Sequence, residues 1–416
     1  MRLFPLLFAM VLTLATGIIS GEEAANIEVR VSLPAALLDK QVLAEVEAAC
    51  RFLAEKNLRE AEAALRRAAT GAGSAVLGKN LTAAADAVSR PAGTFRPVAE
   101  PGEIGPEPFF ALAPRGKGDP PEGLFCLPLP REENWMVPFL EDPSRLRQDL
   151  PERISGVTAD MSALPRVYMA DLAAAEAPGR LSAWVDHPAH PGMVVVFRNL
   201  VAAYCDQRLQ KLSKRVLAAP WSGKVDAKSL AWLVAMTRVA HGLGPVALEK
   251  ESGKGIESVA SRLKENAPLV EAIKAEALAL ISGLRLAESE KDFAVTAAGL
   301  TATFVIYLLD RVRRFSGESA SPFALIANQL IKEGGIRLDL QSGRVIPDRR
   351  KIRASMKKLV KRMVRIQGSG SDEEADDFFS RKEKADSKED PFVGLIPRPI
   401  AGFKLVTRAP DPAGDK

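Results

Sequence analysis

The second half of this 416-residue chain is an almost continuous series of helical patterns. From residue 200 onward, apolar side chains recur every three or four residues, the spacing that gathers them on one face of an α-helix. The predicted helices lie near residues 200–217, 227–241, 256–264, 268–286, 293–314, 321–333 and 348–367. A β-branched run at 193–197 precedes them and favours a buried strand. The predicted fold class is therefore mainly α, an α+β fold with minor strands around a helical core at residues 191–367.

Residues 28–90 are predicted to form a separate N-terminal helical segment. Apolar residues recur at helical spacing on both sides of Lys56-Asn57, so this pair is expected to join two short antiparallel helices. An alanine-rich helix is predicted to follow near residues 81–89. The sequence has no repeat at a fixed period, which argues against a solenoid.

Residues 91–190 are dense in proline and glycine, which interrupt regular helices. Aromatic residues such as Phe110 and Phe125 recur in this segment, so it is predicted to be irregular but packed on the core. Near its end, the pattern predicts a short helix at 167–177 and a strand at 181–185.

The first 21 residues have the order of a secretory signal peptide. Arg2 precedes an apolar run at residues 3–19, and small residues stand before the charges at Glu22-Glu23. The protein is therefore expected to be secreted or periplasmic. If the segment stays uncleaved, it would be a membrane anchor, since its length is near the lower limit for a spanning helix. At the other end, residues 368–416 are rich in charge and are predicted to be a largely disordered tail.

The cysteines do not suggest a disulfide framework or a nucleophile. The chain has three, Cys50, Cys126 and Cys205, with no tight spacing, so at most one bridge can form. Cys50 and Cys205 stand in helical patterns among alanines, which favours small buried hydrophobic residues. The net charge of +5 is small for this length, so nucleic acid is not an expected partner.

The segment 344–365 holds ten Lys or Arg residues and one acidic residue, Asp348. Its apolar residues Ile352, Met356 and Met363 stand at helical spacing, which predicts an amphipathic core helix with a solvated basic face. The same face is also suited to phosphates on a membrane surface or a polyanion. Both interpretations stay open at the level of sequence.

The segment His241-Gly-Leu-Gly-Pro245 resembles the end of a zinc-peptidase helix. In the motif H-E-x-x-H, two histidines one turn apart bind zinc and the Glu is the general base. Here Thr237 and Arg238 stand in place of the first His and the Glu. Threonine is a poor zinc ligand, and a guanidinium cannot accept a proton from water. Taken alone, His241 is either a remnant ligand or a helix-terminal histidine that interacts with the helix dipole.

Several short segments between residues 190 and 370 resemble, in the same order, the motifs of a known protein family. They read Val196-Phe-Arg-Asn-Leu-Val-Ala-Ala-Tyr-Cys-Asp206, Leu212-Ser-Lys-Arg-Val-Leu217, Arg238-Val-Ala-His-Gly-Leu-Gly-Pro245, Ala275-Glu-Ala-Leu-Ala-Leu-Ile-Ser-Gly-Leu284 and Leu340-Gln-Ser-Gly-Arg-Val345. This series resembles the bacterial and plant relatives of dipeptidyl peptidase III, a family of zinc peptidases. The corresponding family motifs are H-E-[IV]-[AS]-H-G-L-G-P and E-E-A-K-A-D-[IV]-x-G-L.

The resemblance implies a role for each matching position. His241 and Glu276 would be remnants of two zinc ligands, whereas Thr237 and Arg238 take the places of the other ligand and the general base. Two ligands without a base imply that no catalytic residue is retained and that no cofactor is bound, zinc being the one possible metal.

The candidate cleft consists of Thr237, Arg238 and two further positions. Ser319 falls where the family has a substrate-associated histidine, and Asn328 belongs to a later segment that resembles the family. The resemblance therefore implies an exported, catalytically degenerate peptidase-fold protein that binds a peptide or protein ligand or serves as a scaffold.

Two alternative functions remain at the level of sequence. His187 and His190 could join His241 and Glu276 in a rearranged metal site, which would make the protein a metal-dependent peptidase. Alternatively, the basic helix at 344–365 could bind anionic surfaces. Membrane association is expected only through that helix or through an uncleaved signal segment.

Overall fold

In the computed structural model, the described residues form two compact units. The first unit consists of residues within 26–204 together with 403–408, and the second consists of residues within 205–383. The described residues are 26–32, 39–89, 107–113, 120–130, 133–140, 165–176, 181–187, 190–241, 243, 250–252, 255–257, 259–314, 321–339, 341–383 and 403–408. The predicted signal segment, residues 1–21, lies outside them, and so does Ser319.

The first unit begins with a strand and a group of three helices. These elements are β1 (Ile27–Ser32), α1 (Lys40–Ala54), α2 (Leu58–Gly71) and α3 (Ala75–Val88). Each helix starts at a side chain that accepts a hydrogen bond from the first turn: Asp39, Asn57 and Ser74. Lys56, with φ of 61°, turns the chain between α1 and α2, which confirms the predicted break at Lys56-Asn57.

The helices α1 to α3 share a buried core with a five-stranded sheet. The strands of the sheet are β2 (Phe109–Ala113), β3 (Glu122–Pro128), β4 (Arg166–Ala174), β5 (Ser182–His187) and β6 (His190–Phe197). A short helix, α4 (Val137–Leu140), precedes β4, and another, α5 (Arg198–Tyr204), follows β6. The order is β2-β3-β4-β6-β5, with β4 and β6 parallel and the other neighbours antiparallel. Helix α1 approaches the sheet closely at Gly123, where a Cβ atom would lie 2.8 Å from Leu53 and from Phe110.

This sheet corrects two predictions about residues 91–190. The described parts of the segment supply most of the strands, so it is not irregular there, and residues 167–177 hold strand β4 where a helix was predicted. Strand β4 is hydrogen-bonded on both sides, to β3 and β6. Pairing with strands distant in sequence overrides the helical preference of its alanines. The strands predicted near 181–185 and 193–197 are confirmed by β5 and β6.

The second unit is helical, which agrees with the predicted mainly α fold class. A π-helical turn at Cys205–Leu209 leads into its elements. They are α6 (Gln210–Val216), α7 (Ala219–Ser222), α8 (Ala227–Ala240), β7 (Lys250–Ser252), β8 (Gly255–Glu257), α9 (Val259–Leu263), α10 (Ala267–Ser289), α11 (Ala297–Arg314), α12 (Pro322–Lys332), β9 (Ile336–Asp339), β10 (Arg344–Pro347), α13 (Arg349–Ser369) and α14 (Asp372–Glu383). The long helix α10 packs against α8, α11 and α13, so it forms the centre of this unit. None of the helices described for the chain is long and apolar enough to cross a membrane.

The C-terminal segment is more ordered than predicted. Helix α14 buries Ala375 and Phe379, and Asp372 in its first turn accepts a hydrogen bond from Asn266 at 2.9 Å. Near the end of the chain, β11 (Phe403–Arg408) pairs with β1 in a parallel two-stranded sheet. The prediction of a largely disordered tail is therefore wrong for these two elements, because each is stabilised by residues far away in sequence.

The cysteines behave as the sequence indicates. Cys50, Cys126 and Cys205 are all buried with free thiols. Burial raises the pKa of each thiol, to about 12 for Cys205, so the reactive thiolate is disfavoured.

Candidate functional site

The segment that resembles the end of a zinc-peptidase helix lies at the C-terminal end of helix α8. The start of α8 is fixed by Asp226, whose carboxylate accepts bonds from the backbone N–H and the hydroxyl of Ser229, both at 2.7 Å. The segment from Leu230 to Met236 is buried on all sides, so the helix is anchored in the core. Its last turn presents Thr237 and Arg238 half-buried, and His241 caps the helix.

Helix α10 brings Glu276 to the same place. It approaches α8 closely because residue 283 is glycine, where a Cβ atom would lie 2.5 Å from Nε1 of Trp232. That indole nitrogen donates a hydrogen bond to the carbonyl of Ala279 at 3.0 Å. The Trp232 contact therefore fixes the separation and register of the two helices that carry the candidate site.

Thr237 and Glu276 are in direct contact. Oγ1 of Thr237 donates a hydrogen bond to Oε2 of Glu276 at 3.3 Å. The Glu276 side chain is buried, with the residue 8% exposed. The structure thus brings together two positions that the sequence resemblance placed at one site, but the contact between them is a hydroxyl–carboxylate hydrogen bond.

Burial and nearby basic side chains act in opposite directions on the pKa of Glu276. Burial raises the pKa of Glu276, while the charges of Arg311 and His241, the Thr237 hydrogen bond and the charge of Arg238 act in the opposite direction. The largest opposing contribution comes from Arg311 on α11, a residue that the sequence did not single out. Arg238 is part of this environment as a weaker contributor.

His241 interacts with a different carboxylate. Its Nδ1 lies 3.5 Å from Oε1 of Glu271, one turn before Glu276 on α10. Glu271 also pairs with Nζ of Lys274 at 2.8 Å and accepts a hydrogen bond from the side-chain amide of Gln367 on α13. Lys274 donates in addition to the backbone carbonyl of Leu243, just after α8. These contacts fasten the end of α8 to α10 and α13.

The pKa values of Glu271 and Lys274 reflect this buried arrangement. Burial acts to raise the pKa of Glu271, but the hydrogen bond with His241 and the adjacent Lys274 leave it below its ordinary value. Burial lowers the pKa of Lys274, whose side chain is 0% exposed, and the charge of Glu271 opposes that change. Glu271 and Lys274 therefore form a buried ion pair, in which each charge is stabilised by the other.

The residues present do not fit a zinc ion. The described residues contain no group of three His, Cys, Asp or Glu side chains that could hold a metal. At the position implied for the metal, the Glu276 carboxylate is bonded to Thr237 and lies in the field of Arg311 and Arg238. Nearby guanidinium charges would repel a divalent cation, so no chemical step at this site is assigned to a metal.

The other predicted site residues are distributed through the fold. Asn328 is half-buried on α12, the helix whose Phe323 ring lies 4.7 Å from the guanidinium carbon of Arg311. His187 and His190 are cross-strand partners at the end of the β5–β6 hairpin.

Sequence reasoning missed Glu271, Lys274, Arg311 and Gln367. Each stands in a helical pattern where a charged or amide residue normally marks the solvent face. The only local signal is the i, i+3 spacing of Glu271 and Lys274, which is common on helix surfaces. Their importance follows from burial, which depends on the packing of α8 and α13 on α10.

Comparison with known proteins identifies the fold. No family model matches the sequence, and no curated protein matches it either. The structure is similar to that of DPP III from Caldithrix abyssi, with a TM-score of 0.68 and 18% identity over 85% of this chain and 70% of that one. It is also similar to dipeptidyl-peptidase III from Corallococcus sp. strain EGB, with a TM-score of 0.67 and 17% identity over 85% and 68% of the two chains. The chain is therefore a peptidase-fold protein, with the fold of dipeptidyl peptidase III.

Proposed function

We propose that this protein is an exported relative of these peptidases that lacks their hydrolytic chemistry and binds a peptide or protein ligand, or serves as a scaffold. The observation that carries the proposal is the hydrogen bond between Thr237 and Glu276. Zinc hydrolysis requires three protein ligands, an open coordination position and a base that activates water. Here a hydroxyl occupies one ligand position, and Arg238 stands where the base would be.

The electrostatics around Glu276 support the loss of metal. A carboxylate that binds zinc is stabilised by the ion, whereas burial raises the pKa of Glu276, and the charge of Arg311 and the Thr237 hydrogen bond offset that rise only in part. A carboxyl group with a raised pKa takes up a proton more readily, which makes it a weaker ligand for a metal ion.

The Glu271 contacts support a retained fold. In a metal site, the ion itself would tie the two helices together. Here the Lys274–Glu271 ion pair and the bond from Lys274 to the Leu243 carbonyl connect them. The surface at the end of α8 remains accessible, since 37% of the His241 side chain is exposed. This surface is the proposed place of ligand contact.

One observation favours a second candidate function. His187 and His190 are register partners across the β5–β6 hairpin, so two residues of a type that binds metals lie next to each other in the sheet. A metal ion bound through this pair would make the protein a metal-dependent peptidase with a rearranged site. This candidate requires a bound metal, and the first does not.

Metal analysis and peptide binding distinguish the two candidates. The purified protein is dialysed against zinc, copper and nickel in turn, and the metal content is measured by mass spectrometry. The same preparation is incubated with a mixture of short unstructured peptides, and both retained and cleaved species are identified. We expect well under one metal per molecule, together with retention of intact peptides that is weakened by His241→Ala.

The opposite result is equally specific. Stoichiometric metal, with peptide cleavage that stops on chelation, would overturn the proposal. If His187→Ala/His190→Ala then removed both the metal and the cleavage, the rearranged site would be the correct assignment. A protein that neither binds metal nor retains any peptide would leave the fold in place and contradict the ligand-binding role.

A further inference from the structure

Helix α13 has one face fixed in the core and a long basic face outside it. Its buried residues are Ile352, Met356, Leu359, Val360 and Met363. They lie on the side of α13 that packs against α10. The predicted amphipathic core helix is thus confirmed, and the basic face remains to be explained.

Some cations of α13 are engaged by carboxylates of neighbouring helices and loops. Arg353 pairs with Glu288 at 2.5 Å, and Lys358 pairs with Glu333 at 3.1 Å. Glu374 of α14 pairs with both Arg362 and Arg365. Those four cations have an internal structural role that connects α13 to its surroundings.

A second set of cations has no such role. Arg350, Lys357 and Lys361 are exposed, and none of them forms an ion pair with a carboxylate in the described part of the chain. Their spacing of seven and four residues places them on one line along the helix. At 1.5 Å per residue, the line is roughly 16 Å long. We refer to Arg350, Lys357 and Lys361 as the basic stripe.

The basic stripe has a composition suited to phosphate groups. Ala354, between the first two cations, is small, and the stripe contains no aromatic side chain on which a nucleic-acid base could stack. It also contains no large apolar residue that could insert between lipid chains. A contact made by the basic stripe would therefore be mainly electrostatic.

We infer that the basic stripe is a peripheral docking site for an anionic phospholipid surface. Phosphate headgroups in a fluid bilayer can gather beneath separated cations without matching a fixed spacing, whereas a double-stranded nucleic acid presents its phosphates at nearly fixed positions. Charge complementarity carries the assignment. This surface is distinct from the end of α8, so the inference is independent of the proposed ligand site.

The test measures binding of the full chain to vesicles that contain about 30% phosphatidylglycerol, compared with pure phosphatidylcholine, at low salt and at about 0.15 M salt. Apolar residues 3–19 can enter either vesicle, so the signal of interest is the part that depends on phosphatidylglycerol. In the stripe variant, Arg350→Gln, Lys357→Gln and Lys361→Gln are combined. In the control variant, the exposed cations of α6 are changed instead, by Lys211→Gln, Lys214→Gln and Arg215→Gln.

Both variants lose the same net charge, so a difference between them reports position. We expect phosphatidylglycerol-dependent binding that weakens with salt, falls at least about tenfold in the stripe variant, and changes less than about threefold in the control. Circular dichroism and thermal unfolding confirm that each variant is folded.

Three outcomes would overturn the inference. The first is wild-type protein that does not distinguish the two vesicles. The second is equal loss of binding in both variants, which would assign the effect to net charge. The third is tighter binding of a single-stranded oligonucleotide than of the vesicles, with the stripe variant defective in it, which would assign the stripe to nucleic acid.

Discussion

Oγ1 of Thr237 and Oε2 of Glu276 are 3.3 Å apart, and this hydrogen bond joins α8 to α10. It provides the buried Glu276 carboxyl group with a donor from the neighbouring helix. The contribution of this contact to stability can be measured by mutation.

Removing the Thr237 hydroxyl should destabilise the protein modestly. Thr237→Val keeps the shape but leaves the Glu276 carboxylate without this donor, and we expect the free energy of unfolding to fall by about 1–2 kcal/mol. The matched control is Thr301→Val, since the buried Thr301 hydroxyl bonds only a carbonyl of its own helix, Ala297, at 2.7 Å. Urea unfolding should show a smaller loss for the control, and equal losses would argue against a special role for Thr237.

The free energy of unfolding should depend on pH through Glu276 above pH 4.5 and through Glu271 below it. The pKa of Glu276 is raised in the folded state, so the folded protein binds more protons than the unfolded one above 4.5. Stability should fall there as pH rises. The pKa of Glu271 is lowered, so its contribution is present above 4.5 and lost as pH falls below that value.

Single amide substitutions separate these two pH dependences. Glu276→Gln should flatten the decrease above pH 4.5 relative to wild type, and Glu271→Gln should flatten the decrease below it. The measurement is the difference in unfolding free energy between each variant and wild type across the pH range. A Glu276→Gln difference that does not vary with pH above 4.5 would be inconsistent with a raised pKa.

Lys274 should be one of the most sensitive positions in the helical unit. Lys274→Met leaves the Glu271 carboxylate buried without its cation, and breaking a buried pair in this way costs about 3–5 kcal/mol. Adding Glu271→Met removes the stranded charge, so the double variant should recover part of the loss. Chemical denaturation of both single variants and the double variant gives the coupling energy. Additive losses would mean that the two groups do not act as a pair.

The packing of α8 on α10 should depend on the absence of a side chain at residue 283. Gly283→Ala introduces a Cβ atom 2.5 Å from the Trp232 indole nitrogen, and such overpacking typically costs about 1–3 kcal/mol. Gly223→Ala is the control, because a Cβ atom there meets nothing within 4 Å. Unfolding free energy and near-ultraviolet circular dichroism report the change, and a neutral Gly283→Ala would show that the helices can separate freely.

Introducing the zinc-peptidase residues at positions 237 and 238 should recruit zinc. Thr237→His with Arg238→Glu supplies a ligand and a base, while Glu271 already holds Nδ1 of His241 and leaves Nε2 for the metal. We expect close to one zinc per molecule by mass spectrometry. Adding Glu276→Ala should abolish this binding, and zinc retained in that triple variant would place the metal elsewhere.

The local pattern of the sequence determined the helices of the second half. Apolar spacing predicts α8, α10 and α13 within a few residues because helical hydrogen bonds join neighbours in the chain. The ordered motif matches likewise place Thr237 and Glu276 at one site. Helix periodicity and motif order are properties of short segments, so they can be read without the fold.

Only the tertiary structure decided the identity of the charge partners and the pairing of strands. The partners of His241 and Glu276, namely Glu271 and Arg311, follow from which helix faces meet in the core. Strand β4 has an alanine-rich sequence that locally favours a helix, and it is extended because β3 and β6 complete its hydrogen bonds. Burial and strand pairing depend on residues distant in sequence, which is the physical reason that periodicity did not reveal them.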